Sequence, residues 1–378
     1  MRPFPFLFHR LGAPELKSGP RRRRWVVFWS VAVCLFFFAP VKDISCQTTF
    51  AAKQLTFGQV AETEPNISPD GRWIAFQYFA GNEKPSSPTI WIMETAKEFR
   101  SAKALAGLPR YAGEMSWSPD SNWISFISSD DKPARSTEQI YKINILTMRR
   151  IQLTTFPEGT VIGDSTTWSK TGFIAFEREG KIFAIKDNGG EEMELLDPRI
   201  ALSNRIPSSI KFSPDGNMLV FAVENQQRDQ SEVWLADLPT RKVRRLTSLH
   251  FDAFPSWIDK ERLLFSRETK TGYAQIYALS LRTEKLKRLT SGHVDFTPAT
   301  DSSANTLCFS RKGKVQKNLK ETEWLAGFHI WCVTNARRMF KELGWDLTPK
   351  PLRLGAKYEL HGHDPGTKGS SLDSRRDR

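Results

Sequence analysis

The sequence predicts an all-β chain: a six-bladed β-propeller of four-stranded antiparallel blades, velcro-closed by its N-terminal strand. Three observations predict it. A turn phrase recurs along the chain at intervals of 43–51 residues. Each recurrence is followed by short runs in which apolar and polar residues alternate. The body of the chain opens with a strand phrase that has no blade of its own.

The turn phrase is clearest as ISPDG (67–71), WSPDS (117–121) and FSPDG (212–216). Anchored on the residue before the turn, the repeats fall at Ile67, Trp117, Trp168, Phe212, Trp257 and Thr300. Proline presets φ at the second turn position, Asp tolerates the third, and Gly takes positive φ. The phrase is therefore a hairpin between an inner strand and its antiparallel neighbour. Used repeatedly, it is architecture and not a site.

After each turn comes a β-type run: WIAFQ, WISFI, FIAFE, MLVFA, LLFSR and LCFSR. A second phrase follows a polar loop and reads TIWIME, QIYKIN, KIFAIK, EVWLAD, QIYALS and HIWCVT. A third closes the unit, as Gln-Leu-Thr at 152–154 and Arg-Leu-Thr at 245–247 and 288–290. Four short strands at this period describe a propeller blade. The sixth unit loses the pattern after Thr334, whereas AKQLTF (52–57) is a fourth-strand phrase without a preceding three. Lending that strand to the sixth blade shuts the ring and removes open edges.

Both ends of the chain read differently. Arg21 to Arg24 precede an uncharged apolar run over 25–39, the length of a signal-peptide core and short for a membrane span. Residues 1–46 are thus a signal peptide or an uncleaved N-terminal anchor, with the body exported in either case. Ser45-Cys46 invites a lipidation reading, but Asp43 stands where that signal wants Leu. The propeller is assigned to 47–336. Residues 337–378 are a short helix, with Asn335 as N-cap and Gly344 near its end, followed by a disordered basic tail. HGHDPG at 361–366 resembles a metal motif but falls in that tail.

The formal charge of +13 sits at the ends. Residues 1–46 hold eight Lys/Arg against two acids and 337–378 hold ten against six, while the span between carries 37 against 34. A balanced body argues against nucleic-acid binding. Of four cysteines, Cys34 and Cys46 belong to the leader. Cys308 and Cys332 fall in neighbouring strands, either bridged in an oxidising compartment or present as two buried thiols.

The combination of Leu-Thr, Trp-Ser-Pro-Asp-Gly, Ile-Ala-Phe and Ile-Trp/Tyr resembles the TolB-type β-propeller repeat over about 50–335. The resemblance implies a fold and leaves function to the site. TolB carries a small α/β domain before its propeller, and this sequence passes from leader to first strand within about ten residues, so membership of the Tol system does not follow. Similar repeats occur in propellers that gate prolyl-oligopeptidase-type peptidases. The hydrolase elbow G-x-S-x-G of such enzymes appears nowhere in the sequence.

One constellation carries chemistry. His250 and His293 lie seven residues before their anchors, Asp252 and Asp295 five before, and Glu62 shares the latter position with Glu64 nearby. These belong to units five, six and one, consecutive around a closed ring, so channel-mouth loops would bring them together. Imidazoles and carboxylates there suit a divalent cation, with His250 and His293 as its ligands, or a cationic group. The alternative is that the Asp residues cap turns and the histidines are solvated. The sequence thus points to an exported, non-enzymatic propeller binding another envelope protein or a small or oligosaccharide ligand. The competing reading is a metal-dependent glycan lyase or hydrolase.

Overall fold

The computed structural model describes residues 51–57, 61–79, 88–105, 111–129, 137–199, 202–203, 205–225, 230–248, 250–269, 272–312, 327–345 and 347. The expected leader, Cys34, Cys46 and the HGHDPG stretch lie outside these residues.

Strand β1 (Lys53–Gln54) comes first. Blade one is β2 (Ala61–Ile67), β3 (Trp73–Phe79), β4 (Thr89–Glu94) and β5 (Lys103–Ala104). Blade two is β6 (Tyr111–Trp117), β7 (Trp123–Ser129), β8 (Glu138–Asn144) and β9 (Arg150–Gln152). Blade three is β10 (Thr166–Trp168), β11 (Phe173–Arg178), β12 (Lys181–Lys186) and β13 (Met193–Leu196). Blade four is β14 (Pro207–Phe212), β15 (Met218–Glu224), β16 (Ser231–Asp237) and β17 (Lys242–Arg245). Blade five is β18 (Phe251–Asp259), β19 (Arg262–Glu268), β20 (Ala274–Ser280) and β21 (Leu286–Arg288). Blade six has β22 (Val294–Thr300), β23 (Thr306–Lys312) and β24 (Phe328–Thr334), with β1 as its outer strand. Each blade is antiparallel throughout; one parallel bridge, Ser231 to Phe251, links blades four and five. The first strands lie against one another in cyclic order, and β22 against β2 completes the ring.

The recurring phrases have separate jobs. In the turn, the serine hydroxyl accepts the N–H that opens the next strand: Trp73 on Ser68, Trp123 on Ser118 and Met218 on Ser213, all at 2.9 Å. The Asp carboxylate accepts the N–H two residues on, as Asp70 does from Arg72 at 3.0 Å. Gly71 and Gly216 adopt φ of 74° and 80°, as the turn chemistry requires, and Ser121 occupies the same region.

In the Leu-Thr phrase, the threonine hydroxyl accepts a third-strand N–H. Thr154 holds Ile140, Thr247 holds Val233 and Thr290 holds Ile276, each at 2.9 Å. Thr56 of the N-terminal phrase holds Ile330 of β24 at the same distance. Gln54 bonds the Thr56 carbonyl as Gln152 bonds that of Thr154. The N-terminal strand thus satisfies blade six as the fourth-strand phrases of blades two, four and five satisfy their own.

Every blade places one phenylalanine of its second strand in the core: Phe76, Phe126, Phe176, Phe221, Phe265 and Phe309 are all fully buried. Each is worth roughly 1.5–3 kcal/mol of apolar burial. Neighbouring inner strands are sewn by side chains. Trp117 Nε1 donates to the Asn66 carbonyl at 2.8 Å and Trp257 Nε1 to that of Lys211 at 3.1 Å. Cys308 and Cys332, cross-strand partners in β23 and β24, form a disulfide within the closing blade.

Helix α1 (Ala336–Glu342) starts after Asn335, which was expected as its N-cap but sits at φ 58° with no side-chain capping bond, and it ends on Gly344 at φ 77°. The Trp345 N–H returns to the Phe340 carbonyl at 2.8 Å and that of Gly344 to Lys341, a Schellman ending. Met339, Phe340 and Trp345 pack with Ile258 and Leu264 of blade five and Leu307 and Phe309 of blade six. Among the described residues, no helix is long and apolar enough to cross a membrane.

Candidate functional site

The structure places the sequence-predicted residues differently from one another. Asp252, Asp295 and Glu62 were expected in channel-mouth loops but lie inside β18, β22 and β2. The reason is strand register. Asp252 stands opposite Arg267, and Asp295 opposite Arg311. Each fully buried carboxylate takes a bidentate guanidinium, at 2.6 and 2.8 Å from Arg267 and at 2.7 and 2.9 Å from Arg311. Arg267 also lies over Phe265 and Tyr277, and Arg311 over Phe309 and Trp331. The two acids are thereby engaged within their own blades.

Glu62 faces Tyr78 across its strand pair and turns instead to the closing blade. Its Oε2 lies 2.7 Å from His329 Nδ1 and accepts the Thr56 hydroxyl at 3.2 Å. His250 is exposed, with Nδ1 3.0 Å from the Ser248 carbonyl. His293 Nδ1 is buried with no partner, and burial, aided by Arg311 and opposed by Asp295, holds the imidazole below its usual range. Among the described residues, no group of three or more His, Cys, Asp or Glu side chains is arranged to hold a metal ion.

Glu64 belongs to a second constellation, deeper in the channel. Five inner strands carry a bulge in mid-strand, where a non-glycine residue adopts φ of 51–55°: Glu64, Glu114, Ser209, Phe254 and Thr297. A bulge re-aims the side chain it carries. Glu64 comes from blade one and Lys211 from blade four, on opposite sides of a ring of six, yet they interact electrostatically. Both therefore reach toward the axis. Glu114 and Asp164 complete the cluster from blades two and three.

All four residues are half-buried. Burial pushes Glu64 up to about 7, with Asp164 adding and Lys211 opposing. It lifts Asp164 to about 6 against the Ser209 N–H, 2.9 Å from Oδ1, and against Lys211. Glu114 is held well above the usual carboxylate range by burial, then by Glu64 and Asp164. Burial lowers Lys211 although all three carboxylates pull it upward. Burial thus favours the neutral forms of carboxyls and lysine alike.

Glu177 of β11 extends the acidic side toward the mouth. It is 6% exposed and accepts the Gly180 N–H. Burial, offset in part by Gly180 and reinforced by Asp164 and Glu179, pushes it up to about 7. Only Gly163 fits beside it: a Cβ there would stand 2.4 Å from Glu177 Oε2 and 2.8 Å from its Cβ.

Glu114, Asp164, Glu177 and Lys211 were not singled out from the sequence. Aligning units on their anchors places Glu64 and Glu114 at the same offset, which would have flagged both. Asp164 and Lys211 sit at other offsets, and no column marks them.

One family matches the chain, described as the dipeptidyl peptidase IV (DPP IV) N-terminal region, over residues 110–319. No curated protein matches it. Among solved structures, TolB from Acinetobacter baumannii is similar at 17% identity and a TM-score of 0.53, over 65% of this chain and 59% of that one. The chain thus spans under two thirds of that protein's length. A TolB-type protein from Agrobacterium tumefaciens is similar at 14% identity and a TM-score of 0.50, over 74% and 92%. At such identities the shared property is the propeller fold, which agrees with the repeat resemblance read from the sequence.

Proposed function

The chain belongs to the family described as the dipeptidyl peptidase IV N-terminal region, and we propose that it serves as an exported, non-enzymatic binding module of the cell envelope. Its mouth face docks a partner protein. The observation that carries this reading is a set of exposed apolar side chains beside the long connections between blades. Phe57, Val161 and Ile206 are 62%, 43% and 60% exposed and all sit where an outer strand crosses to the next inner strand, on the mouth face. The opposite end carries three such side chains as well, Leu146, Met193 and Leu286, so apolar groups suit docking at either end, and the mouth is chosen because the long connections between blades gather there on a rigid ring.

Export is supported by the apolar leader over 25–39 and by the Cys308–Cys332 disulfide, which persists in oxidising compartments. The metal-dependent lyase reading draws no support from the rim, where Asp252 and Asp295 are already held by arginines.

The test is site-specific photo-crosslinking in cells producing the full chain. A photoreactive residue is placed at 57, 161 or 206, and separately at 146, 193 or 286, three exposed apolar positions at the opposite end of the blades. Adducts to one partner from the first set alone support the reading. Equal labelling from both faces, or none from the first, overturns it.

A further inference from the structure

The outer strands of blades four and five are strongly basic. Residues 237–246 and 281–289 together hold eight Lys/Arg against two acids, whereas residues 47–336 as a whole hold 37 against 34. The two acids are Asp237, which accepts the Thr240 N–H at 2.9 Å, and the exposed Glu284 in its hairpin. Charge on an edge strand deters pairing with other chains whatever its sign, and blade three meets that need with the exposed Glu194 of β13. The uniform positive sign on β17 and β21 calls for a separate reason.

Register sorts these cations by face. Arg245 stands opposite Trp234 and pairs with Glu232, and Lys287 stands opposite Ala278 and donates to the Leu343 carbonyl at the end of helix α1. Arg244 and Arg288 stand instead opposite Leu235 and Tyr277, which pack in the core shared by blades four and five. Cross-strand partners share a face, so the two guanidinium groups border one cleft between the blades. Leu286, 39% exposed and opposite Leu279 of the same core, borders it too. Arg241 and Lys285 lie in the hairpins that lead into β17 and β21, at the end away from the mouth. Arg241, Arg244, Lys285 and Arg288 are exposed, and among the described residues none of these four side chains makes a hydrogen bond or ion pair.

Two observations decide the partner. An exposed leucine among unpaired cations suits the boundary of a bilayer, where hydrocarbon receives the leucine and phosphates receive the cations. The chain also enters β1 from this end, on the outer edge of blade six beside blade five, with the apolar run over 25–39 preceding it.

We propose that the outer edges of blades four and five dock on an anionic lipid surface, with Arg241, Arg244, Lys285 and Arg288 meeting headgroup phosphates and Leu286 entering the headgroup layer. Guanidinium groups hold phosphate through paired N–H donors. The mouth, at the other end of the blades, stays clear for a protein partner.

The test places an environment-sensitive fluorescent amino acid at 286 in the full chain. Vesicles of phosphatidylcholine alone, or with roughly 30% phosphatidylglycerol, are then added. Attachment through the leader is common to both compositions, so the readout is the emission at 286. The expected result is a blue shift with the anionic vesicles alone, reversed at about 0.5 M salt. The same probe at 57 on the mouth, or at 193 on blade three, shows none. Arg244→Glu with Arg288→Glu raises the lipid concentration for half-maximal shift by roughly 25-fold or more, at roughly fivefold per cation. Circular dichroism melts establish folding, and Arg241→Glu with Lys285→Glu is a second pair with the same expected effect. No shift at 286, an equal shift with neutral vesicles or at 193, or an unchanged half-maximum in folded charge-reversed variants would each overturn the proposal. So would a shift produced by soluble polyaspartate and not by anionic vesicles, which would assign the edge to an acidic polymer.

Discussion

Replacing Glu177 with Gln makes the folded protein progressively more stable than wild type as pH rises. The carboxyl is 6% exposed and pushed from 4.5 up to about 7, mainly by burial, against the Gly180 N–H and with help from Asp164 and Glu179. In the folded state it keeps its proton to about pH 7; in the unfolded chain it loses it near 4.5. Between those values the unfolded state binds fewer protons, so stability falls as pH rises. Below the lower value a neutral carboxyl and an amide are equivalent, and both accept the Gly180 N–H. Moving the carboxyl from 4.5 to about 7, at about 1.36 kcal/mol for each tenfold change in proton affinity, gives a difference of about 3 kcal/mol, complete above pH ~7. Urea unfolding followed by tryptophan fluorescence, at several pH values from about 4.5 to about 8.5, measures it. Glu64, Glu114 and Asp164 contribute pH dependence to both proteins, so the difference between them isolates Glu177. A stability difference that is flat across this range would refute the assignment of Glu177 as a buried carboxyl protonated near neutrality.

Three further outcomes follow from the ring. Thr56→Val removes the acceptor for the Ile330 N–H and a donor to buried Glu62, and should cost about 2 kcal/mol by the same urea assay. The equivalent Thr247→Val measures whether the closing strand behaves like a native fourth strand. Removing the Cys308–Cys332 bridge, which closes a separation of 24 residues, should cost about 3 kcal/mol in the double alanine variant. In cells, an exported protein should resist thiol alkylation at these positions until reduced. Arg267→Met leaves Asp252 charged and fully buried, and should destabilise by roughly 3–5 kcal/mol. The double variant with Asp252→Leu should recover much of that loss.

The sequence alone determined the blade count and the closure. Blade repeats are local: a Ser-Pro-Asp-Gly turn, an apolar run and a Leu-Thr ending each satisfy bonds within about fifty residues. Their chemistry is therefore written in short phrases, and the orphan Gln-Leu-Thr at 54–56 could be matched to a blade that lacks it. The short helix was legible in place from Asn335 and Gly344, but only Gly344 acts as a cap, since the Asn335 side chain makes no capping hydrogen bond.

What only the tertiary structure decided was which charges meet. The offset of His250, Asp252, His293 and Asp295 suggested one shared site, but antiparallel register set each Asp opposite an Arg in the next strand. The loss of that arginine in blade one, where Tyr78 stands, sent Glu62 to His329 instead. The channel cluster draws Glu64, Glu114, Asp164 and Lys211 from four blades, separated by up to 147 positions. No local pattern encodes their convergence. It arises from closing six twisted sheets around one axis, and from mid-strand bulges that turn chosen side chains toward it.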